Sequence, residues 1–454
     1  MTRHRSRLRS LPLGVAAFVA AAVFTAARPV RANGAFPDEF SIHFPPGAPN
    51  RILIGANFGL LVSEDDGQTW RYSCEPWVVA GSDAALASAN VLFYQVAADG
   101  ALLADAANLT RSTDVACTWP PATGSIAGQV ITDFFPDPND ATFVVANIAV
   151  SSGSYMIASH DGGKTFDATH LYDTNDILTG IEIARSTPGV VYATSVPQAA
   201  GTAKFLASTS WGAPGSWTVT DPQIPAGTQP RILAVDPADA KKVYLRLLTG
   251  LTDAMAVTPD GGKTFQTLLT IKGQFSSFVR AGDGAIYAGT MDGKLYVRAA
   301  SATDPTAFTS HDAPHLRCLG QRPGSTRIYA CADMVLDGFS LASSDDGGAT
   351  FQPVMSFTQL LGPLTCPPVQ TNCQAHWERI QGVLGIGATP DAGPADGGGS
   401  SPGSSGSHCA SASIDAWSIW VVLGFVLRSR TRRGRDRKRI RNHEPAIASR
   451  GHRP

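Results

Sequence analysis

The chain has 454 residues, of which 43% are hydrophobic and only 16% charged, with 45 Gly and 31 Pro. That balance suits many short strands joined by tight turns and argues against helices packed through salt-bridged faces. The formal charge of −1 conceals basic ends and a net acidic middle, so a basic face on the folded part is not expected and nucleic acid is excluded as a partner.

Taken in chain order, residues 1–32 read as a secretory signal peptide. Arg3, Arg5, Arg7 and Arg9 precede an apolar run from Leu11 to Ala27, and Val30-Arg31-Ala32 offers small residues for cleavage before Asn33. An uncleaved anchor is the weaker reading, because so short a run is marginal for a span.

From Phe36 onward the sequence repeats. SEDDGQTW (Ser63, Asp65, Gly67, Trp70), SHDGGKTF (Ser159, Asp161, Gly163, Phe166), TPDGGKTF (Thr258, Asp260, Gly262, Phe265) and SDDGGATF (Ser344, Asp346, Gly348, Phe351) share one pattern, S/T-x-D-x-G-x-T-W/F. Its chemistry is that of a self-satisfied hairpin turn. The hydroxyl and carboxylate accept from backbone N–H groups, the Gly takes positive φ, and the aromatic packs into the repeat. Weaker copies stand at Ser112–Trp119, with Ala116 in place of Gly, at Ser208–Trp217, with two extra residues, and at Ser301–Phe308. The turns recur roughly every 43 to 50 residues. Before each lies a strand-like run: Arg51–Ala56, Ala101–Ala106, Thr142–Ala146, Val190–Ser195, Lys242–Leu247, Ala285–Thr290 and Arg327–Ala332. Each unit is therefore expected to hold four strands, with the turn joining the third to the fourth. Seven such antiparallel units, over residues 36–388, predict an all-β fold, a seven-bladed β-propeller.

The motif set resembles the Asp-box (BNR-repeat) propellers, a group that includes sialidases, sortilin-type receptors, xyloglucan-degrading enzymes and photosystem assembly factors. The resemblance runs from about Phe36 to Val354. It implies the fold and places the boxes at the blade periphery, away from the central funnel where propellers usually bind.

Six cysteines fall in the repeat region, an even set that suits an oxidising compartment. Repeat register suggests Cys318 with Cys331 and Cys366 with Cys373, which leaves Cys74 with Cys117. The first unit is expected to be complete from Phe40–Phe44 onward, so no interlocking strand is left over for closure. Cys366, Cys373 and Trp377–Gly385 are expected to seal the last blade.

Residues 389–408 form a Pro/Gly/Ser-rich linker. Residues 409–427 contain Cys409 and the apolar segment Ala416–Leu427, and residues 428–454 begin with nine Arg or Lys between Arg428 and Arg441. Linker, Cys, short apolar segment and basic end resemble the C-terminal sorting tails of myxobacterial surface proteins. The resemblance implies processing or attachment at Cys409 and a cytoplasmic basic end. A plain single-pass anchor is the alternative.

Catalytic signatures are scarce. No HExxH, GxSxG, phosphate loop or CxxC occurs. The box aspartates sit one to a turn, unlike a calcium loop, and His160, His170, His311 and His315 lack metal spacing, so no metal and no cofactor are expected. Polar residues on the expected innermost strands are Asp133, Glu182, Arg231 and Arg317, the two arginines suggesting a basic patch for an anionic ligand. Two readings follow. The first is an exported, surface-tethered, monomeric, non-catalytic recognition module for a polysaccharide or protein. The second is a secreted glycoside hydrolase, sialidase-like or xyloglucanase-like, working through funnel carboxylates. The Phe/Tyr-Arg-Ile-Pro motif usual in sialidases is missing. A role in assembling a membrane complex has only family analogy behind it.

Overall fold

In a computed structural model, the structure describes residues 39–79, 93–105, 108–199, 201–250 and 252–386. The expected signal peptide, linker, Cys409 segment and basic tail lie outside the described residues. Seven blades form a β-propeller, and in each the strand that is first in sequence is the innermost. These first strands are Glu39–His43, Phe93–Val96, Val130–Pro136, Ile177–Ile183, Gln229–Val235, Phe275–Arg280 and Leu316–Gln321. Those of blades 3 and 4, 4 and 5, 6 and 7, and 7 and 1 pack directly on one another. Blade 2 departs slightly from the four-stranded pattern, its outer edge being a single bridge between Thr110 and Pro121.

Strand position explains the sequence pattern. Second and third strands such as Ile52–Ala56 and Gly59–Ser63 are buried along their whole length, because a neighbouring blade covers each face. Continuous apolar runs result. An outer strand such as Gln266–Lys272 is only partly covered and is correspondingly polar.

The repeat turns have the expected chemistry. In blade 3, Ser159 Oγ accepts from Gly163 N at 2.9 Å and donates to Asp161 Oδ1 at 2.7 Å, and that oxygen also accepts from Thr165 N at 2.8 Å. The same bonds recur around Asp65, Asp260 and Asp346. In blade 2, Ala116 keeps the pattern at φ 65°, its N–H donating to Ser112 Oγ at 3.0 Å. The blade 4 copy has no aspartate at the motif position. Ser216 Oγ meets Ser208 Oγ at 2.7 Å instead, and Trp217 Nε1 donates to Gly212 O at 2.9 Å. In blade 6 the turn is built around Asp304, which accepts from Thr306 N and Oγ1 at 2.8 and 2.7 Å.

The box glycines do more than permit positive φ. A Cβ on Gly163 would collide with Leu103 of blade 2, one on Gly262 with Phe205 of blade 4, and one on Gly348 with Leu295 of blade 6. Each turn thus packs against the preceding blade. Ser159 is fully buried, so Ser159→Ala strands the Gly163 N–H and is expected to cost about 1–3 kcal/mol. Urea unfolding of the variant checks this, and an unchanged midpoint would contradict it.

Two disulfide pairings differ from expectation. Cys318–Cys331 forms, but Cys74 bonds Cys373 and Cys117 bonds Cys366. The reason is the helix Pro367–Ile380, which begins just after Cys366 and contains Cys373. Seven residues of helix rise about 10 Å, beyond a disulfide's reach. The closing segment also lands elsewhere than expected. Strand Leu360–Pro363 pairs in parallel with Trp70–Cys74, becoming a fifth strand on blade 1. It therefore seals the first blade and not the last. Val369, Cys373, Trp377 and Ile380 share one face of this helix, an amphipathic spacing legible in the sequence. Among the described residues no helix is long and apolar enough to cross a membrane.

Candidate functional site

The innermost strands share a second feature, a β-bulge at one register. Phe40, Thr132, Thr179, Ser276 and Arg317 are the extra residues in blades 1, 3, 4, 6 and 7, while blade 5 bulges at Leu233. A bulge turns a side chain out of the ladder and re-aims its neighbours. Thr132 and Thr179 consequently line a cavity of about 90 Å³ at the inner edge of blades 2 to 5, together with Phe93, Asp105, Asp133 and Arg231.

Of the four inner-strand candidates, Asp133 and Arg231 therefore share a cavity. Glu182 is on the adjoining strand without lining it. Arg317 is in blade 7, its Nη2 donating to Asp333 Oδ2 at 2.6 Å. The two arginines are not brought to one cavity, and each stands beside a carboxylate. Asp105, at the end of the second strand of blade 2, is a member that the sequence analysis missed. A lone acid ending the apolar run ALLAD was the available signal.

The acids are held mainly by the next blade's backbone. Asp133 Oδ2 accepts from Ile181 N of blade 4 at 2.9 Å, and Oδ1 from its own neighbour Phe134 N at 2.9 Å. Glu182 Oε1 accepts from Val235 N of blade 5 at 2.8 Å. Asp253 Oδ2 accepts from Phe275 N of blade 6 at 2.8 Å and from Arg246 Nε at 2.7 Å. Thr179 Oγ1 donates to Pro230 O across the same seam as Glu182, at 2.8 Å. Acids on the first strands of blades 3 and 4 and on the third strand of blade 5 thus act as latches between blades.

Burial shifts their titration. It pushes Asp105 up to about 7, with the Asp133 charge adding to the effect. Burial raises Asp133 to about 6 against the opposing pull of the Ile181 N–H and Arg231. Glu182 rises to about 8 through burial, opposed by the Val235 N–H. At neutral pH Glu182 therefore keeps its proton, Asp105 is near its titration midpoint, and the charge sits on Asp133, which has two N–H donors and a guanidinium to stabilise it. Folded values above unfolded ones mean the native state binds more protons between about 4 and 8. Stability from these groups is present below about pH 4, falls as pH rises, and levels off above about 8. Thermal melts across that range are expected to slope downward, and Glu182→Gln to flatten the slope. Parallel slopes for both proteins would contradict the assignment.

The box aspartates run the other way. Backbone and hydroxyl donors from Thr264 hold Asp260 at about 2, and those of Thr350 do the same for Asp346. Their contribution is present above the unfolded value near 4 and lost as pH falls through about 2.

A second, open depression of about 370 Å³ lies on the seam of blades 6 and 7, with Phe339, Phe351, Pro314, Asp312 and Asp337 on its walls. Asp337 is held there by His315, whose N and Nδ1 both lie 2.9 Å from its carboxylate oxygens. A nearby short helix, Met334–Asp337, lies in the longest loop between second and third strands among the described residues. Asp333 caps it, and Val335 and Leu336 stand 67% and 64% exposed. Among the described residues no group of His, Cys, Asp and Glu has metal-binding geometry.

No family model matches the chain, and no curated protein matches it. Solved structures do. Hydrazine synthase of Kuenenia stuttgartiensis is similar with a TM-score of 0.52 at 10% identity, over 71% of this chain and 99% of that one. An ancestral GH74 enzyme matches with a TM-score of 0.40 at 12% identity, over 70% of this chain and 49% of that one. PorZ, a bacterial surface component of the type-IX secretion system of Porphyromonas gingivalis, matches at 0.42 and 12%, over 70% and 39%. At such identities the likeness is one of fold alone, a β-propeller.

Proposed function

We propose that the chain is an exported Asp-box propeller, held at the cell surface by its C-terminal segment, that recognises a polysaccharide or protein without catalysis. The observation that supports this reading is the use made of the inner acids. Asp133 and Glu182 each give a carboxylate oxygen to a backbone N–H of the next blade. The cavity beside Asp133, about 90 Å³, is well below the roughly 300–1,000 Å³ of ordinary ligand pockets. Recognition then falls to the outer surface, where the loop carrying Val335 and Leu336 is held by Asp333 and Asp337. Glycan arrays and partner capture with the purified protein test the reading. Specific binding to a glycan or protein supports it, and binding to neither class contradicts it.

One observation favours glycoside hydrolysis as the second reading. Asp105 and Asp133 are close enough for the charge of one to raise the other, and a protonated acid beside an ionised one is what such enzymes require. If the protein cleaves xyloglucan or a sialoside and Asp105→Asn abolishes cleavage, the second reading replaces the first.

A further inference from the structure

The last blade ends with the strand Gln352–Met355, yet the chain is fixed to the ring well past it. Leu364 N donates to Tyr72 O at 2.9 Å, and Arg71 Nη1 donates to Pro363 O at 3.0 Å. His376 Nδ1 meets the Tyr72 hydroxyl at 3.1 Å, and the Trp377 ring packs on Tyr72 with centroids 5.6 Å apart. Two covalent bonds complete the attachment: Cys373 to Cys74 in blade 1, 299 positions earlier, and Cys366 to Cys117 in the box turn of blade 2, 249 positions earlier. Both bonds lie between the end of blade 7 and residue 386, where the described chain stops.

The geometry points to a mechanical clasp. Tension arriving from the C-terminal side meets Cys373 before any strand of blade 7. It passes through Cys373 to the outer strand of blade 1 and through Cys366 to blade 2. Blade 7, last in sequence and held to blades 6 and 1 by strand packing and hydrogen bonds, is bypassed. Without the two bonds the same tension would peel Leu360–Pro363 and then blade 7 from its outermost strand inward. The clasp gives a tethered propeller a fixed attachment point in its first two blades and spares its last. The role rests on the reading that the chain is held by its C-terminal end, whereas the force path is a property of the molecule itself.

Single-molecule pulling of the full chain tests the force path. One handle is attached at the C-terminus and the other at exposed Thr202 in blade 4, in a Cys318→Ser/Cys331→Ser background so that reduction touches only the clasp. The oxidised protein is expected to show no early release of residues 316–386. Reducing the already folded protein is expected to lower the first rupture force at least about twofold. It should also introduce a first step of roughly 240 Å, the extended length of that segment at about 3.4 Å per residue. The same early step in the oxidised protein, or an unchanged first rupture after reduction, would overturn the proposal. Fractionation of cells expressing a chain cut after residue 408 separately tests the tether, and its failure would leave the force path standing.

Discussion

Opening both clasp disulfides, with Cys74, Cys117, Cys366 and Cys373 replaced by serine, is expected to lower stability by on the order of 8 kcal/mol, about half of it for either pair alone. The arithmetic follows the loops. With Cys117–Cys366 intact, the Cys74–Cys373 bond closes only the short circuit through residues 74–117 and 366–373. Removing both frees a loop that contains nearly the whole ring, with sequence separations of 299 and 249. Cys318–Cys331 spans 13 residues between two paired strands and is expected to cost about 3 kcal/mol. Calorimetry or far-UV melts of these four variants check the order. A quadruple variant no less stable than the Cys318→Ser/Cys331→Ser protein would show that the strap does not hold the ring.

Asp253→Ala is expected to be the most damaging single change on the inner strands and their neighbours, at about 3–5 kcal/mol. Asp253 is fully buried, and its carboxylate holds both Arg246, 15% exposed at its side chain, and the Phe275 N–H of the next blade. Removing it leaves a guanidinium in a low-dielectric seam with its main counter-charge gone and a backbone donor without an acceptor. Asp253→Asn keeps an acceptor for Phe275 and should cost less. Denaturant midpoints for the pair provide the measurement, and equal, small losses for both would mean that the seam tolerates an unpaired charge.

How much of this was legible in the sequence depends on how local the cause is. The turn around Asp161 is closed by atoms within six residues, so its motif could be read directly, and the runs before each turn announced second strands such as Val191–Val196 and Ile328–Ala332. The turn at Ser301 matched the spacing but not the chemistry, since Asp304 does the work that a box aspartate does elsewhere. Non-local features were harder. Asp133 and Glu182 could be placed on inner strands, but their partners are amides of the following blade, reached only because each inner strand meets the next at a fixed register. Asp105 is marked only by ending the apolar run ALLAD, and nothing in the local pattern around Asp253 marks it as a seam residue. The cysteine pairing failed for the same reason. Register within a repeat located Cys318 opposite Cys331, whereas Cys366 and Cys373 belong to a helix outside the repeat whose docking site is set by closure of the ring.

A C-terminal strap clasped to blades 1 and 2 closes the ring, and inner acids latch one blade to the next. Peptide mapping of the unreduced protein by mass spectrometry tests it most directly. Cross-linked peptides joining Cys74 to Cys373 and Cys117 to Cys366 are expected, and peptides joining Cys366 to Cys373 or Cys74 to Cys117 would contradict it.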